Sequence, residues 1–263
     1  MRFPISSPSA RRAEPLARGG GEPGRTKLLV SVRNVAESQA AILGGADIVD
    51  LKEPARGPLG PVDPATLAAV LDQVGAAAPV SAAWGELLDW RPNLVSCLTS
   101  SVARLRFLKV GLAGCATRPA QWHAAWDAAR RETPPGVALT PVAYADAATA
   151  ESPSPRAAID WAGAAGCRTM LIDTFRKDAG NLADHCLEEE LCELVAAARR
   201  LRIRLGLAGS LAGQTFARVV GLGPALVGVR GAACRGGRQG VVDAALVGEL
   251  AAAVAAAASD ARR

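Results

Sequence analysis

Short apolar runs alternate with longer alanine-rich stretches along the chain from Lys27 onward. Eight of these runs are typical of strands, and a segment of helical character follows each of them. The predicted strands are residues 28–32, 47–52, 79–84, 105–111, 137–144, 168–173, 203–209 and 225–230. The predicted helices are residues 35–43, 64–75, 95–103, 119–131, 155–165, 187–200, 212–221 and 241–257.

The order of these elements predicts a single α/β domain. Eight strand-then-helix units in a chain of this length favour a (β/α)8 TIM barrel, in which eight parallel strands close a sheet inside a layer of helices. A doubly wound open sheet is the main alternative, but the turn at 32–34 after the first strand lacks the glycine fingerprint of a dinucleotide site. We therefore expect one catalytic barrel domain over residues 27–258.

The first 26 residues differ in composition from the rest of the chain. They contain many Pro, Gly, Ser and Arg residues and no apolar stretch of the kind that a secretory signal requires. We interpret residues 1–26 as a disordered extension, and we expect the protein to be cytoplasmic. The longest apolar stretches are interrupted by charge, Gly or Pro, so no membrane span and no membrane partner is predicted.

Charge and cysteine content argue against several kinds of partner. The formal net charge is +5, but the basic residues form no stripe with interleaved aromatics, and the chain has one Tyr and four Phe. Nucleic acid is therefore not an expected partner. The six cysteines form no CxxC pair, so neither a metal site nor a disulfide framework is predicted.

Lysine is rare in this chain, and its positions are chemically informative. Only four of the 30 basic residues are lysine, and three of them, Lys52, Lys109 and Lys177, lie in or just after strand-like segments. Arginine stays protonated at ordinary pH, whereas burial can lower the pKa of a lysine far enough to provide a neutral amine. A lysine retained where the chain otherwise uses arginine therefore indicates a site that needs a deprotonatable amine.

Strand alternation turns charged side chains toward the interior of the predicted barrel. In the second strand Asp50 and Lys52 share one face, and the apolar residues beside them point toward the helices. The same alternation turns Lys109 inward in the fourth strand and Asp173 inward in the sixth, with Lys177 in the loop that follows. Active sites of this architecture occupy the carboxyl ends of the strands. We therefore expect three lysines and two aspartates to converge at one mouth of the barrel.

Such a cluster has two interpretations. Cations in a confined site disfavour one another's protonated forms, so one amine can be neutral near pH 7 and attack a carbonyl to form a Schiff base, while a second group moves protons. Alternatively, each lysine only neutralises a nearby carboxylate. Lys52 would then pair with Asp50 or Glu53, and Lys177 with Asp173 or the aspartate that follows it. Three lysines together at strand ends favour catalysis.

Glycine-containing segments after the last two strands predict a phosphate site. The seventh strand ends at Gly209 and Ser210, and the eighth at Arg230 and Gly231. In barrels these two loops commonly bind phosphate through backbone N–H groups, although the same glycines would also suit tight turns. Arg230 would add a bidentate contact. Asp146, at the end of the fifth strand, is a further candidate for orienting an amine or a substrate hydroxyl.

These segments together resemble the (5-formylfuran-3-yl)methyl phosphate synthase family of methanofuran biosynthesis. The resemblance covers residues 28–250. It is carried by GGADIVDLKEP with a following Gly-x-Leu-Gly (44–60), KVGLAG (109–114), YADA (144–147), AGC with LIDT and KD (165–178), LAGS (207–210) and VGVRGAACRGG (227–237). It implies a TIM-barrel lyase that converts two molecules of glyceraldehyde 3-phosphate into a furan aldehyde phosphate, releasing phosphate and water, without a metal or organic cofactor.

The resemblance also implies unequal roles for the charged residues. Lys52 matches the Schiff-base lysine of the family and Asp50 its partner. Lys109 matches a proton acceptor, whereas Asp173 and Lys177 match further polar residues of the site. The amine of Lys52 would convert one triose phosphate into an iminium, and the enamine formed from it would attack the second aldehyde.

Two other functions are compatible with the sequence. A class I aldolase acting on another phosphorylated aldehyde would use the same Schiff-base lysine and the same phosphate loops. A non-catalytic basic protein that binds RNA would instead show salt-sensitive binding independent of Lys52. The sequence leaves open whether the chain forms a homo-oligomer.

Overall fold

The structure is a computed structural model that describes residues 25–91, 95 and 98–260. Eight parallel strands follow one another in chain order, and the eighth pairs with the first to close a barrel. They are β1 (Lys27–Val32), β2 (Ile48–Leu51), β3 (Val80–Glu86), β4 (Phe107–Gly111), β5 (Ala138–Tyr144), β6 (Thr169–Asp173), β7 (Arg204–Leu207) and β8 (Leu226–Val229). The predicted TIM barrel is confirmed, and the β8–β1 pairing rules out an open sheet.

Helices between the strands form the outer layer. They are α1 (Val35–Leu43), α2 (Pro64–Val74), α3 (Thr99–Val102), α4 (Pro119–Glu132), α5 (Ala147–Ala150), α6 (Pro155–Ala164), α7 (Leu182–His185), α8 (Glu188–Arg200), α9 (Gly213–Gly221) and α10 (Ala244–Asp260). The helix predicted over 95–103 is described only in part, as α3. The predicted start of the last helix at 241 is wrong, because β10 (Val241–Val242) pairs antiparallel with β9 (Cys234–Arg235).

Local sequence signals explain where several helices begin. The Asn34 side chain accepts a hydrogen bond from the backbone N–H of Glu37 (3.0 Å), and Asp63 accepts one from Thr66 (2.9 Å). Each bond satisfies an N–H that would otherwise lack a partner in the first turn. Helix α2 also has Pro64 in its first turn, where proline costs no hydrogen bond.

The strands separate two apolar layers. Leu108 and Val110 of β4 are fully buried in the larger layer, between the sheet and the helices. Phe107 of the same strand belongs to the smaller layer inside the barrel, together with Val142 and Leu171. Because side chains alternate along a strand, the next inward position of β4 toward its carboxyl end is Lys109. The apolar interior is therefore followed by a charged layer at the mouth.

The amino-terminal end of the described chain is attached to the barrel by a hydrogen bond. Residues 1–24 of the predicted extension lie outside the described residues. Thr26, assigned to the same extension, is buried, and its hydroxyl donates a hydrogen bond to the carbonyl of Pro224 (2.8 Å), which anchors the start of β1.

None of the described helices is long and apolar enough to cross a membrane.

Candidate active site

A cavity of about 210 Å³ opens at the carboxyl ends of the barrel strands. We call it the inner cavity. Its floor is apolar, with Leu29, Val142 and Leu171. Its wall contains every predicted site residue except Asp146: Asp50, Lys52, Lys109, Asp173, Lys177, Gly209, Ser210, Arg230 and Gly231. Residues that are up to 181 positions apart in the sequence are thus brought to one cavity, as strand alternation predicts.

Lys109 and Asp50 form a buried ion pair in this cavity. The Lys109 Nζ lies 2.6 Å from Asp50 Oδ1, and both side chains are almost fully buried. The other carboxylate oxygen, Oδ2, accepts a hydrogen bond from the Ser31 hydroxyl (2.9 Å), because Ser31 and Asp50 are register neighbours on β1 and β2. The contact of Asp50 with Lys52 that the family resemblance implies is not found. Lys109 reaches the carboxylate instead, because β4 also turns its charged residue into the narrow interior.

Lys177 is also paired. Its Nζ lies 2.5 Å from Asp173 Oδ1 and 3.2 Å from the Thr174 hydroxyl oxygen. Burial lowers the pKa of Lys177, although Asp173 opposes this change. Burial alone would raise the pKa of Asp173, but the ammonium groups of Lys177 and Lys52 hold it below its ordinary value. The pairing of Lys177 with a nearby aspartate, one of the two interpretations of the cluster, is therefore confirmed for this lysine.

Lys52 differs from the other two lysines because its amine is unpaired. Its side chain is only 6 % exposed, and within the described residues its Nζ takes part in no hydrogen bond or ion pair. Burial lowers its pKa to about 7; the charge of Asp173 opposes this decrease, and the cations of Lys177 and Lys109 add to it. Desolvation penalises an ammonium that has no partner. A large fraction of Lys52 is therefore neutral near pH 7.

The two glycine-containing loops, which follow β7 and β8, also line the inner cavity. Gly209 has a φ of 115°, and a Cβ there would lie 2.9 Å from the Thr174 side chain. Only glycine combines this backbone conformation with such close approach. Ser210 follows with a φ of 51° and is exposed. Gly231 begins a short 3-10 turn, Gly231–Ala233, after β8. Both loops line the inner cavity, and phosphate binding by their backbone N–H groups stays a prediction.

Arg230 requires a correction. Its guanidinium is 2 % exposed and donates two hydrogen bonds to the carboxylate of Glu37 (2.5 and 3.1 Å). Its other N–H groups donate to the backbone carbonyls of Ser31, Arg238 and Gly240 (2.9, 3.2 and 2.9 Å). All five guanidinium donors are therefore used within the protein. The predicted bidentate contact of Arg230 with phosphate is wrong for this structure, because Glu37 and three backbone carbonyls accept all the hydrogen bonds that its guanidinium can donate.

Asp146 also differs from its prediction. Its carboxylate does not line the inner cavity but accepts hydrogen bonds from the backbone N–H groups of Phe175 (2.6 Å) and Arg176 (2.8 Å). These bonds fix the segment that leads from β6 to Lys177. Asp146 therefore acts on Lys177 through the loop that carries it and through its charge, which raises the pKa of that lysine, and no hydrogen bond or ion pair in the described residues joins it to any of the three lysines.

Sequence reasoning missed the buried pair formed by Glu86 and Tyr144. The Tyr144 hydroxyl donates a 2.6 Å hydrogen bond to Glu86 Oε1, and burial raises the pKa of both groups. A Cβ at Gly111 would overlap both side chains, at 2.0 and 2.4 Å. The strand was predicted to end at residue 84, whereas β3 extends to Glu86. Because the predicted strand stopped two residues early, Glu86 was not assigned to the carboxyl end of a strand.

Arg238 is a second group that the sequence did not indicate. It lines the inner cavity and also a neighbouring cavity of about 380 Å³, which we call the outer cavity. The outer cavity is lined by Pro54, Gly57, Pro58, Phe175, Lys177, Asp178, Arg238 and Gln239. In the described part of the chain no hydrogen bond or ion pair engages the Arg238 guanidinium. Burial lowers its pKa, and the negative charge of Asp173 opposes this change.

These features define a class of protein: a (β/α)8 barrel with a lysine-containing cavity at the carboxyl ends of its strands. Solved barrels have the same architecture. Phosphoribosyl anthranilate isomerase from Thermus thermophilus aligns with a TM-score of 0.59 at 17% identity, over 88% of this chain and 99% of that one. Thiamine phosphate pyrophosphorylase from Pyrococcus furiosus gives 0.58 at 14% identity, over 89% and 98%. At such low identity the likeness shows the fold alone.

Comparison with sequence relatives identifies the family, which likeness of fold does not. The family model described as 4-HFC-P synthase matches residues 28–251. The (5-formylfuran-3-yl)methyl phosphate synthase of Methanopyrus kandleri is 36% identical over 237 residues, which are 88% of this chain and 100% of that protein. The protein of the same name from Methanocaldococcus jannaschii is 32% identical over 229 residues, 85% of this chain and 97% of that protein. The chain belongs to the (5-formylfuran-3-yl)methyl phosphate synthase family, which confirms the resemblance drawn from its motifs.

Proposed function

We propose that this protein is a (5-formylfuran-3-yl)methyl phosphate synthase that condenses two molecules of glyceraldehyde 3-phosphate through a Schiff base on Lys52. The observation that carries the proposal is the contrast among the three lysines. Lys109 and Lys177 each contact an aspartate, at 2.6 and 2.5 Å, whereas Lys52 is buried, unpaired and has a pKa of about 7. A neutral amine in the wall of this cavity is suited to attack an aldehyde.

The first step forms the covalent intermediate. The lone pair of the Lys52 Nζ attacks the aldehyde carbon of one triose phosphate, and loss of the carbonyl oxygen as water gives a protonated iminium. The iminium withdraws electrons from the neighbouring carbon, so its C–H becomes acidic. Loss of that proton gives an enamine, whose carbon attacks the aldehyde of the second triose phosphate and forms the new carbon–carbon bond.

Lys109 and Asp50 are the favoured proton carriers. A proton taken from the substrate carbon can be held between the Lys109 Nζ and the Asp50 carboxylate, which are 2.6 Å apart. Ser31 supports the carboxylate from its other oxygen. This arrangement keeps a transferred proton on buried groups of the cavity wall, from which it can be returned to a departing hydroxyl group.

Ring closure then requires dehydration and loss of one phosphate. The atoms balance when two triose phosphates give one furan aldehyde phosphate, one inorganic phosphate and two water molecules. The Lys52 amine is regenerated, and no electrons are gained or lost overall. Lys177 faces both cavities and can stabilise the negative charge on the leaving phosphate. The scheme needs no metal or organic cofactor.

The activity suggests a cellular role. A furan aldehyde phosphate is a building block for a furan-containing cofactor of the methanofuran type, so we place the enzyme in cytoplasmic cofactor biosynthesis and C1 metabolism. Its partner is a small triose phosphate. Neither nucleic acid nor a membrane has a part in this scheme.

Product formation tests the proposed function. Incubation of the protein with glyceraldehyde 3-phosphate is expected to yield a furan chromophore and one inorganic phosphate for each furan, measured by ultraviolet absorbance and a phosphate assay. A class I aldolase would consume the substrate and form a sugar bisphosphate without either signal. An RNA-binding protein would give no product, and its salt-sensitive binding would survive Lys52→Arg.

The pH dependence of turnover follows from the pKa of Lys52. The amine must be neutral to attack, and burial lowers its pKa to about 7. Below that pH the ammonium predominates, so kcat/KM is expected to fall about tenfold for each further unit of pH. Lys177→Met removes a cation that helps to lower this pKa. In that variant the fall of kcat/KM on the acid side is expected to begin at a higher pH than in the unaltered protein. A fall that begins at the same or a lower pH would contradict the assignment of Lys52 as the nucleophile.

A further inference from the structure

A condensation of two triose phosphates has to bind two phosphate groups. The glycine loops at Gly209 and Gly231 line the inner cavity and can hold one of them. The second phosphate needs other donors, and Arg230 has none free because Glu37 and three carbonyls engage its guanidinium. Among the described residues, Arg238 is the one other arginine that lines the inner cavity.

We propose that the outer cavity binds the second triose phosphate and that Arg238 and Lys177 hold its phosphate. This inference rests on the proposed condensation. Both residues line both cavities, so they form the boundary between the two sites. The guanidinium of Arg238 has all its donors free among the described residues. Lys177 directs two of its three N–H groups to Asp173 and Thr174, which leaves one for a phosphate oxygen.

The one carboxylate in the wall of the outer cavity does not oppose this assignment. Asp178 accepts two hydrogen bonds from the guanidinium of Arg176, at 2.8 and 2.7 Å. Its charge is therefore compensated by a residue outside the cavity. Arg238 and Lys177 remain as the cations that face the space.

A buried clamp holds Arg238 over the cavity. Glu37 is 1 % exposed and bonds both Arg33 and Arg230. These two arginines donate to three successive carbonyls: Arg230 to Arg238 (3.2 Å), Arg33 to Gln239 (3.2 Å), and each of them to Gly240 (2.9 Å). The backbone under Arg238 is thus fixed by charge-assisted bonds, while its own side chain is free to bind a ligand. Arg33 and Arg230 act as positioning residues.

The rest of the outer cavity fits the carbon chain of the substrate. Phe175 and Pro58 supply apolar wall beside the two cations. A triose phosphate whose phosphate lies at Arg238 and Lys177 can extend its aldehyde past this boundary toward the adduct on Lys52. The second aldehyde would then approach the enamine from the mouth, while the first substrate occupies the inner cavity.

The test uses sn-glycerol 3-phosphate, which has the phosphate but no aldehyde, so that binding is measured without reaction. Isothermal titration calorimetry of the full chain is expected to show two molecules bound. In Arg238→Gln one site is expected to remain unchanged and the other to weaken by about 10- to 100-fold, as for loss of hydrogen bonds from a charged group. In turnover the same variant should raise the KM for glyceraldehyde 3-phosphate with kcat changed only a few-fold.

Arg235→Gln is the matched control. It removes the same charge three residues away, from a largely exposed side chain that pairs with Asp243, and it should keep both sites. One site in the unaltered protein, or two unchanged sites in Arg238→Gln, would overturn the proposal. Tighter binding of inorganic phosphate than of glycerol 3-phosphate at the Arg238 site would also overturn it, since the site would then belong to the released product. Binding is independent of furan formation, so failure of the proposed function is seen separately in the product assay.

Discussion

Lys52→Arg is expected to lower kcat for furan formation by roughly 10³-fold or more. Arginine keeps the length and the positive charge of the side chain, but its guanidinium stays protonated and cannot form an iminium. The loss should therefore be chemical. The fold should remain, because the Lys52 amine has no partner among the described residues that the substitution could break. Circular dichroism and the thermal unfolding temperature check the fold, and the product assay measures the loss.

Lys27→Arg is the control for this experiment. Lys27 is the fourth lysine of the chain and begins β1, at the amino-terminal end of the barrel, so the identical substitution should leave turnover unchanged. Borohydride reduction in the presence of glyceraldehyde 3-phosphate adds a direct readout. The reduced adduct should map to Lys52 by peptide mass and be absent from Lys52→Arg. An adduct on Lys109 or Lys177 would show that the nucleophile is assigned to the wrong amine.

The three lysines illustrate how one residue type acquires different chemistry within a single cavity. Lys109 and Lys177 each form an ion pair with an aspartate within 2.6 Å, and the charge of Asp173 opposes the decrease that burial causes in the pKa of Lys177. Lys52 lacks such a contact, and burial together with the two neighbouring cations lowers its pKa although the charges of Asp173 and Asp50 oppose the decrease. The paired lysines thus help to produce the neutral amine beside them. This coupling is why Lys177→Met is expected to move the pH profile as well as the rate.

The barrel and its mouth could be predicted from the sequence because both follow from local periodicity. Side chains alternate with a period of two within each strand, and cap residues such as Asn34 and Asp63 indicate where helices begin. These signals together define eight strand-then-helix units, the number that closes a (β/α)8 barrel. Alternation also decides which face a side chain occupies, so Lys52, Lys109 and Asp173 could be assigned to the interior. The start of the last helix could not be found this way, because the β9–β10 ribbon depends on pairing across a loop.

Contacts across the barrel are a different kind of information. Alternation does not say which of several inward charges meet, and Asp50 pairs with Lys109 rather than with the lysine two residues away. Arg230 was expected to bind phosphate because of its position after β8, but its partner Glu37 lies 193 residues earlier, in α1. Arg238 was missed because loop geometry, which no periodicity encodes, directs it to the cavities.

Lys109→Met is expected to reduce the free energy of unfolding by about 3–5 kcal/mol. The substitution removes the ammonium 2.6 Å from Asp50 and leaves a fully buried carboxylate whose one remaining hydrogen bond, among the described residues, comes from the Ser31 hydroxyl. An uncompensated charge in such a position loses its solvation without regaining an ion pair. Urea denaturation at pH 8 measures the loss. Arg104→Met is the control: it removes a cation at the same 2.6 Å from Asp72, but that pair is exposed, so a change below about 1 kcal/mol is expected.

The double variant Lys109→Met/Asp50→Asn separates stability from catalysis. Removing both charges takes away the unpaired carboxylate, so most of the lost stability should return, as it does when a buried ion pair is replaced by neutral groups. Turnover should not return, because a proton carrier is still missing. If the double variant were as unstable as Lys109→Met, packing of the lysine stem rather than its charge would be the cause. If it were both stable and active, the Lys109–Asp50 pair would have a structural role only, and proton transfer would have to use another group, such as Asp173 in the wall of the same cavity.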